Sequence, residues 1–284
     1  MALPERFVKM AGGGNDFLVF EADGRKLTDA DGHRIALLCR RGLSVGADGA
    51  LFVSGGGDGR VHLDYFNADG GLASFCANGT RCAARYAVSR RLVADSELVL
   101  ETGWGPIGAR VDGASVTLAL PDVLAPDEPI ALDLEDPDRY AMAGLPPGGI
   151  PIHIGVPHLV VFVRGDLAAL PIDQIGPPLR RHPLLPEGAN VNLVRIAGPD
   201  RLDVRTWERG VEAETLSCGS GVVASALTAA QRGHVELPVS CGTKGGVVFT
   251  VNGRLERDVF TGVTLTGDAR EIFRAELTEE AWKE

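Results

Sequence analysis

Two stretches of this chain set a thiol beside small and polar residues directly ahead of a helix-like run: Cys76-Ala77-Asn78-Gly79 and Cys218-Gly219-Ser220-Gly221. The second leads into Val222-Val223-Ala224-Ser225-Ala226-Leu227-Thr228-Ala229-Ala230, closed by Gly233, the pattern of a buried helix that starts at the thiol. The first leads into Thr80-Arg81-Cys82-Ala83-Ala84-Arg85-Tyr86-Ala87-Val88. Unpaired backbone N–H groups and the positive end of the helix dipole at such a place lower the pKa of a cysteine and attract an anion such as a carboxylate. The thiols lie 142 residues apart, half of the 284-residue chain, so the sequence reads as a duplication with one thiol at the same place in each half.

Matched thiols suit a particular chemistry. Facing one carbon from opposite sides, a thiolate removes a proton while a thiol delivers one to the far face, which inverts the centre. The helix N-terminal N–H groups would hold the carboxylate of an amino acid and stabilise the charge that develops when its α-carbon is deprotonated. No cofactor is required in principle. Taken singly, either cysteine would read as a small core residue at a helix start. The repeated arrangement is what turns the reading towards catalysis.

Composition narrows the class. With 45% apolar residues the chain can bury two ordinary cores, as the duplication suggests. A net charge of −10 with dispersed basic residues argues against a nucleic-acid surface and favours a small-molecule partner. Cys39, Cys76, Cys82, Cys218 and Cys241 contain no C-x-x-C pair, so neither a disulfide framework nor a zinc or other metal site is expected, and a reducing cytoplasm fits best. Glu5, Arg6 and Lys9 precede any sustained apolar run, and no stretch approaches the roughly 18 apolar residues needed to cross a bilayer. No targeting or membrane segment is expected.

The elements around the thiols are mostly strands. A strand near Phe7-Val8 leads to a glycine turn, Ala11 to Phe17, in which Asn15 can point at a ligand; Leu18-Val19-Phe20 follow. A helix is expected over 28–41 with Ile35, Leu38 and Cys39 on its core face, and a half-buried strand over Val61 to Phe66. Asp112-Gly113 marks a hairpin between Ile107–Val111 and Val116–Leu120. The proline-rich, acidic passage Pro121 to Pro137 marks the crossing into the second half. Strands follow at Ile150–Ile154 and His158–Val163, interrupted at Gly155-Val156-Pro157; then come a short helix over Pro171–Arg181 and strands at Asn190–Ile196 and Leu202–Trp207. Val235 to Leu265 alternates again, with turns expected at Gly245-Gly246 and Asn252-Gly253. Many strands with one central helix per half give mixed α and β structure, not a doubly wound parallel sheet, and neither a dinucleotide-binding G-x-G-x-x-G nor a P-loop lysine is present.

Together these motifs resemble the diaminopimelate epimerase family along nearly the whole chain. The matching pieces are Lys9-Met10-x-Gly12-x-Gly14-Asn15-Asp16-Phe17, Gly46-Ala47-Asp48-Gly49, Phe66-Asn67-Ala68-Asp69-Gly70, Cys76-x-Asn78-Gly79-x-Arg81-Cys82, Pro157-His158, Pro186-Glu187-Gly188-x-Asn190-Val191, Glu208-Arg209-Gly210 and Cys218-Gly219-Ser220-Gly221. The resemblance implies an α+β fold of two pseudo-symmetric mixed α/β domains, each a curved, mostly antiparallel sheet around a central helix, with the active site in the cleft between them. The domains expected are 1–120 plus 266–284, carrying the first catalytic cysteine, and 121–265, carrying the second. The implied activity is a cofactor-independent isomerase that interconverts LL- and meso-diaminopimelate in lysine and cell-wall precursor synthesis, with a homodimer left open.

By matching position, Cys76 and Cys218 would be the two bases. Ala77, Asn78, Gly219 and Ser220 would belong to the loops that hold the reacting carboxylate, and Asn15, Asn67, Asn190, Glu208 and Arg209 would bind the substrate's amino and carboxylate groups. The planar fork of Arg209 suits a carboxylate and the charge of Glu208 suits an ammonium, although without the resemblance the two read as a surface ion pair. His158 stands between a positioned active-site group and a satisfied core histidine, and Asp69 reads as a turn former. Three departures from the family pattern matter. Ala77 replaces the usual glycine, Val156 replaces a substrate-contacting asparagine, and Gly210 to Thr215 is one residue longer. The alternative is a related cofactor-independent racemase or isomerase with a different distal pocket. A thiol hydrolase leaves the second thiol unexplained, and a binding protein that had lost catalysis would not need both.

Overall fold

Parallel strands cannot be joined by a tight turn, so wherever two successive strands run parallel the chain must cross over, usually by a helix. Four such crossovers organise this chain. The computed structural model describes residues 3–22, 27, 29–132 and 144–283, which leaves positions 133–137 of the proline-rich passage outside the described residues. The chain divides into two units, Met1–Ala119 with Thr266–Glu284, and Leu120–Leu265.

In the first unit, Arg6–Gly12 and Asn15–Glu21 form an antiparallel hairpin. The chain then crosses through α1 (Asp29–Cys39) to Gly49–Gly57, parallel to Asn15–Glu21, and turns back antiparallel into Arg60–Asn67. A second crossover, through α2 (Ala77–Ser89), leads to Glu97–Thr102, parallel to Arg60–Asn67, followed by antiparallel Gly105–Asp112 and Ser115–Ala119. The C-terminal strand Arg270–Glu276 pairs with Arg6–Gly12. The core face of α1, with Ile35, Leu38 and Cys39, joins Phe7, Phe20, Phe52 and Phe66, the Phe20 and Phe52 rings stacking at 5.0 Å. The other helix, α2, packs against the strands from Arg6–Gly12 to Ser115–Ala119 and is buried along most of its length.

The second unit repeats the plan. Gly148–Ile154 and Val156–Phe162 are antiparallel; α3 (Ile172–Arg180) crosses to the parallel strand Asn190–Gly198, which turns back into Arg201–Glu208. The helix α4 (Gly219–Gln231) crosses to Val239–Thr243, parallel to Arg201–Glu208 and antiparallel to Val248–Glu256. Pairing registers repeat as well. Phe17 faces Gly49 and Ala50 faces Phe66 in one unit; His158 faces Asn190 and Val191 faces Trp207 in the other. Among the described residues no helix is long and apolar enough to cross a membrane.

Three readings of the sequence are corrected. Val156 and Pro157 lie within a strand, and the turn before them is made by Gly155 alone, in the left-handed region at φ 69°. Pro157 is tolerated because the parallel neighbour joins only from His158 onward, so its missing N–H costs no bond on that side. Asn252-Gly253 sits inside Val248–Glu256, and the reversal comes at Arg257 (φ 57°) instead. The strand Val259–Asp268 runs to Asp268, and Arg270–Glu276 adds a further strand beyond the alternation read to Leu265.

A charged cluster ties the first hairpin to the loop after α1. Lys9 Nζ lies 2.7 Å from Asp16 Oδ2, Arg41 bonds both Asp16 and Asp48, and the Asp16 N–H donates to Asp48 Oδ2 at 3.1 Å. Burial opposes ionisation of Asp16, but its hydrogen bonds with Arg41 and Lys9 outweigh that and hold its pKa below the ordinary 3.8. A depressed carboxyl stabilises the fold fully above its unfolded pKa and loses that contribution as pH falls through the folded value. Asp16→Asn should therefore lower stability at pH 7 by about 3 kcal/mol, because Lys9 keeps its buried charge without its acidic partner. The difference in chemical denaturation between variant and wild type should shrink towards pH 2; an equal difference at both pH values would contradict this origin.

Candidate active site

Each of the two thiols named by the sequence caps a crossover helix. Cys76 is the N-cap of α2, extended at φ −146°, ψ 112°, and Cys218 is the N-cap of α4 at φ −126°, ψ 112°. Their carbonyls begin the helices, accepting the Thr80 N–H at 2.8 Å and the Val222 N–H at 2.9 Å. Neither helix carries an acidic side chain in its first turn, so nothing there cancels the positive end of the dipole. Ser220 Oγ lies 3.5 Å from Cys218 Sγ. Cys218 is buried as well, but the other three thiols lie inside helices or a strand and cap none. Cys39, Cys82 and Cys241 are buried in the packing, and burial pushes each up to about 12, which keeps them neutral and unreactive. None of the five cysteines forms a disulfide.

Around Cys76 the structure brings Asn15, Ala77 and Asn78 together. The turn at Gly13 (φ 61°) lets the first hairpin approach the helix: a Cβ on Gly13 would lie 2.5 Å from Asn78 Oδ1. Asn78 Nδ2 donates to Asn15 Oδ1 at 2.8 Å, and Asn15 Nδ2 donates to Asp48 Oδ2 at 3.0 Å. Behind them Arg81, fully buried, donates to Asn78 Oδ1 at 2.6 Å, Ala77 O at 3.3 Å and Asp268 O at 3.2 Å. The additional methyl of Ala77 is accommodated in the buried first turn. Asn67 ends its strand opposite Gly49, is exposed, and accepts the Tyr65 hydroxyl at 2.7 Å. Asp69 is a turn former, taking the Gly71 N–H at 2.8 Å.

In the second unit the strand ends bring Asn190, Glu208 and Arg209 together. Asn190 Oδ1 accepts the Arg209 N–H at 2.7 Å, and Arg209 Nη1 donates to Glu187 O at 3.1 Å. Glu208 is the last residue of its strand; the lengthened stretch after it turns at Gly210 (φ 89°) and Glu212 (φ 55°), where the Glu212 carboxylate binds Arg180 and Arg181. Gly219 and Ser220 form the first turn of α4.

The two helices rest on different floors. Gly79 of α2 sits over Leu51 and Phe17, whereas Gly221 of α4 sits over Asn192 and Thr206, whose side chains bond each other at 3.0 Å. Asn192 Nδ2 reaches His158 Nδ1 at 3.1 Å, so His158, Asn192 and Thr206 form a buried polar row. His158 is wholly enclosed; its Nε2 has no hydrogen-bond partner among the described residues, and burial, aided by His153 and Arg209, drives its pKa down to about 3. It is a buried, neutral imidazole, not one that titrates near neutrality. The sequence reading missed roles for Arg81, Asp48, Asn192 and Thr206. Arg81 had a signal, a charged side chain among Cys82, Ala83 and Ala84 on a helix that packs all round. Among the described residues no cluster of three or more His, Cys, Asp or Glu could hold a metal ion.

The pattern of the diaminopimelate epimerase family matches residues 7–117 and 151–270, each segment containing one of the N-cap thiols. The chain belongs to the diaminopimelate epimerase family. Relatives of that name, which denotes isomerases, include one from Caldanaerobacter subterraneus subsp. tengcongensis, 32% identical with 96% of this chain and 99% of the relative covered. Another, from Methanothrix thermoacetophila, is 37% identical and covers 84% of this chain and 86% of its own. A phenazine biosynthesis protein of the PhzF family from Enterococcus faecalis shares the fold, with a TM-score of 0.71 at 17% identity over 96% of this chain and 98% of that one. The α+β architecture expected from the sequence is thus the observed one.

Two outcomes follow for the α4 floor. The His158 imidazole should keep the shifts of a neutral ring between pH 8 and pH 5 by NMR, and a midpoint near 6.5 would show that it is not enclosed. Gly221→Ala would place a methyl 2.3 Å from Asn192 Oδ1 and should lower the melting temperature by several degrees.

Proposed function

We propose that this protein is a cofactor-independent, two-base epimerase that interconverts LL- and meso-diaminopimelate. The observation that carries the reading is the placement of the five thiols: Cys76 and Cys218 each cap a crossover helix at matched positions, while Cys39, Cys82 and Cys241 lie inside helices or a strand. One N-cap thiol, as thiolate, takes the α-proton and the other, as thiol, returns a proton to the opposite face. The N–H groups of the two first turns, at Ala77-Asn78 and Gly219-Ser220, hold the reacting carboxylate and spread the charge that builds on it. Asn15, Asn67, Asn190, Glu208 and Arg209 bind the remaining amino and carboxylate groups, the guanidinium meeting a carboxylate and Glu208 an ammonium. Supply of lysine and cell-wall precursors, a cytoplasmic location and a homodimeric form go with this reading.

Val156 favours a second reading, a related cofactor-independent racemase with another distal pocket, because it offers no hydrogen bond where an amide is expected. Magnitudes decide against it. A neutral hydrogen bond contributes roughly 0.5 to 1.5 kcal/mol and one to a charged group about 1.5 to 3, so losing the amide weakens binding by about tenfold without altering what the charged residues select.

The test is exchange of α-hydrogen for deuterium in heavy water across a panel of amino acids. Diaminopimelate should exchange fastest, Cys76→Ala and Cys218→Ala should each lose at least a thousandfold in epimerisation with circular dichroism unchanged, and Cys39→Ala should alter stability alone. Arg209→Ala should reduce kcat/KM far more than Val156→Asn changes it. Preference for an amino acid without a distal carboxylate, with Arg209→Ala nearly silent, would move the protein to the second reading; turnover retained by either thiol variant would end the two-base assignment.

A further inference from the structure

A hydrogen-bonded row runs head to tail beside Cys76: Arg81 Nη2 to Asn78 Oδ1 (2.6 Å), Asn78 Nδ2 to Asn15 Oδ1 (2.8 Å), Asn15 Nδ2 to Asp48 Oδ2 (3.0 Å). Its ends are chemically unlike. A guanidinium can only donate and a carboxylate can only accept, whereas an amide can turn over and present either end. Turning Asn78 over would set its NH2 against the guanidinium and its oxygen against Asn15 Oδ1; turning Asn15 over would set its oxygen against the Asp48 carboxylate. Each end of the row therefore imposes the same direction on both amides.

We propose that Arg81 and Asp48 are positioning residues that jointly fix the polarity of the Asn78 and Asn15 amides beside the Cys76 thiol, so that both present donors to a carboxylate-bearing ligand. Neither needs to touch the substrate. The proposal rests on the reading of Cys76 as a reacting thiol. Its supports are anchored independently. Arg81 is locked by Ala77 O and Asp268 O in the interior; Asp48 is held from the other side by Arg41 Nη2 at 2.8 Å and the Asp16 N–H at 3.1 Å. This also gives the Lys9, Asp16 and Arg41 cluster a task beyond stability, since it fixes the residue that sets the acceptor end.

Because either end alone can orient both amides, the signature is redundancy. Asp48→Asn, which removes the acceptor-only end, should lower kcat/KM for diaminopimelate epimerisation by no more than about fivefold. Arg81→Gln, which removes the donor-only end, should lower it by about tenfold, and the two together by at least tenfold more than the product. Arg81→Lys keeps a donor-only group, so in the Asp48→Asn background its effect should be merely multiplicative. A structural role alone would not separate Lys from Gln in this way. If Arg81→Gln fails to fold, the half-buried Asp48 supplies the test by itself. Asp48→Glu should leave KM within about twofold, and Asp48→Lys, a donor at the acceptor end, should raise KM at least tenfold although its charge would by itself attract a carboxylate. Multiplicative double variants, or a KM unchanged or lowered by Asp48→Lys, overturns the proposal. Cys76→Ala, assayed alongside, separates the two failures: retained turnover there refutes the reacting thiol, whereas lost turnover with multiplicative Arg81 and Asp48 effects refutes only the positioning row.

Discussion

The structure depends on a helix beginning at a thiol. The first N–H groups of a helix have no partners within it, and a helix whose flanks are buried on all sides leaves that end as its polar opening. In both units the helix is a crossover between parallel strands, so its start is fixed to the strand end that precedes it and its body is enclosed by the same sheet. The polar residues of the neighbouring strand ends, Asn15 and Asn67 in one unit, Asn190 and Glu208 in the other, follow from the same registers. That enclosure leaves little room at the glycine three residues after each thiol. A Cβ on Gly221 would lie 2.3 Å from Asn192 Oδ1, and one on Gly79 would press against a Leu51 methyl at 3.1 Å.

The duplicated halves have diverged beneath the two N-cap thiols. Beneath Gly79 the floor is Phe17 and Leu51; beneath Gly221 it is Asn192 and Thr206, with His158 completing the row. Beside the first thiol helix, Arg81 and Asn78 of the helix are bonded in a row with Asn15 of the first hairpin instead. Buried polar groups carry a high penalty unless paired, so each network constrains its neighbours to one arrangement. A shared backbone plan is thereby stiffened by two unrelated sets of side chains.

Much was legible in the sequence by itself. The pairing of thiol, small residues and apolar run determined both N-caps, because helix starts are set by local chemistry; alternation determined most strands, because side-chain period is a local property. The glycine turn at Gly13 and the hairpin at Gly113 were equally local, each needing a left-handed φ. Local signals also failed where pairing overrode them: Asn252-Gly253 is drawn into a strand, and Pro157 stays in one because its neighbour begins a residue later.

Only the tertiary structure decided how side chains distant in sequence share their protons and charges. The local pattern sets Cys76 and Cys218 apart from Cys39, Cys82 and Cys241, but only the packing shows that burial raises the pKa values of those three. His158 stands between a positioned group and a core histidine in the sequence, and only the packing shows that it is buried and neutral. The row from Arg81 to Asp48 spans residues 15 to 81, and its direction is a consequence of which donor meets which acceptor. Sequence determines the types of group and the elements that carry them, since those depend on neighbours along the chain. Orientation and ionisation depend on neighbours in space, and those were settled by folding.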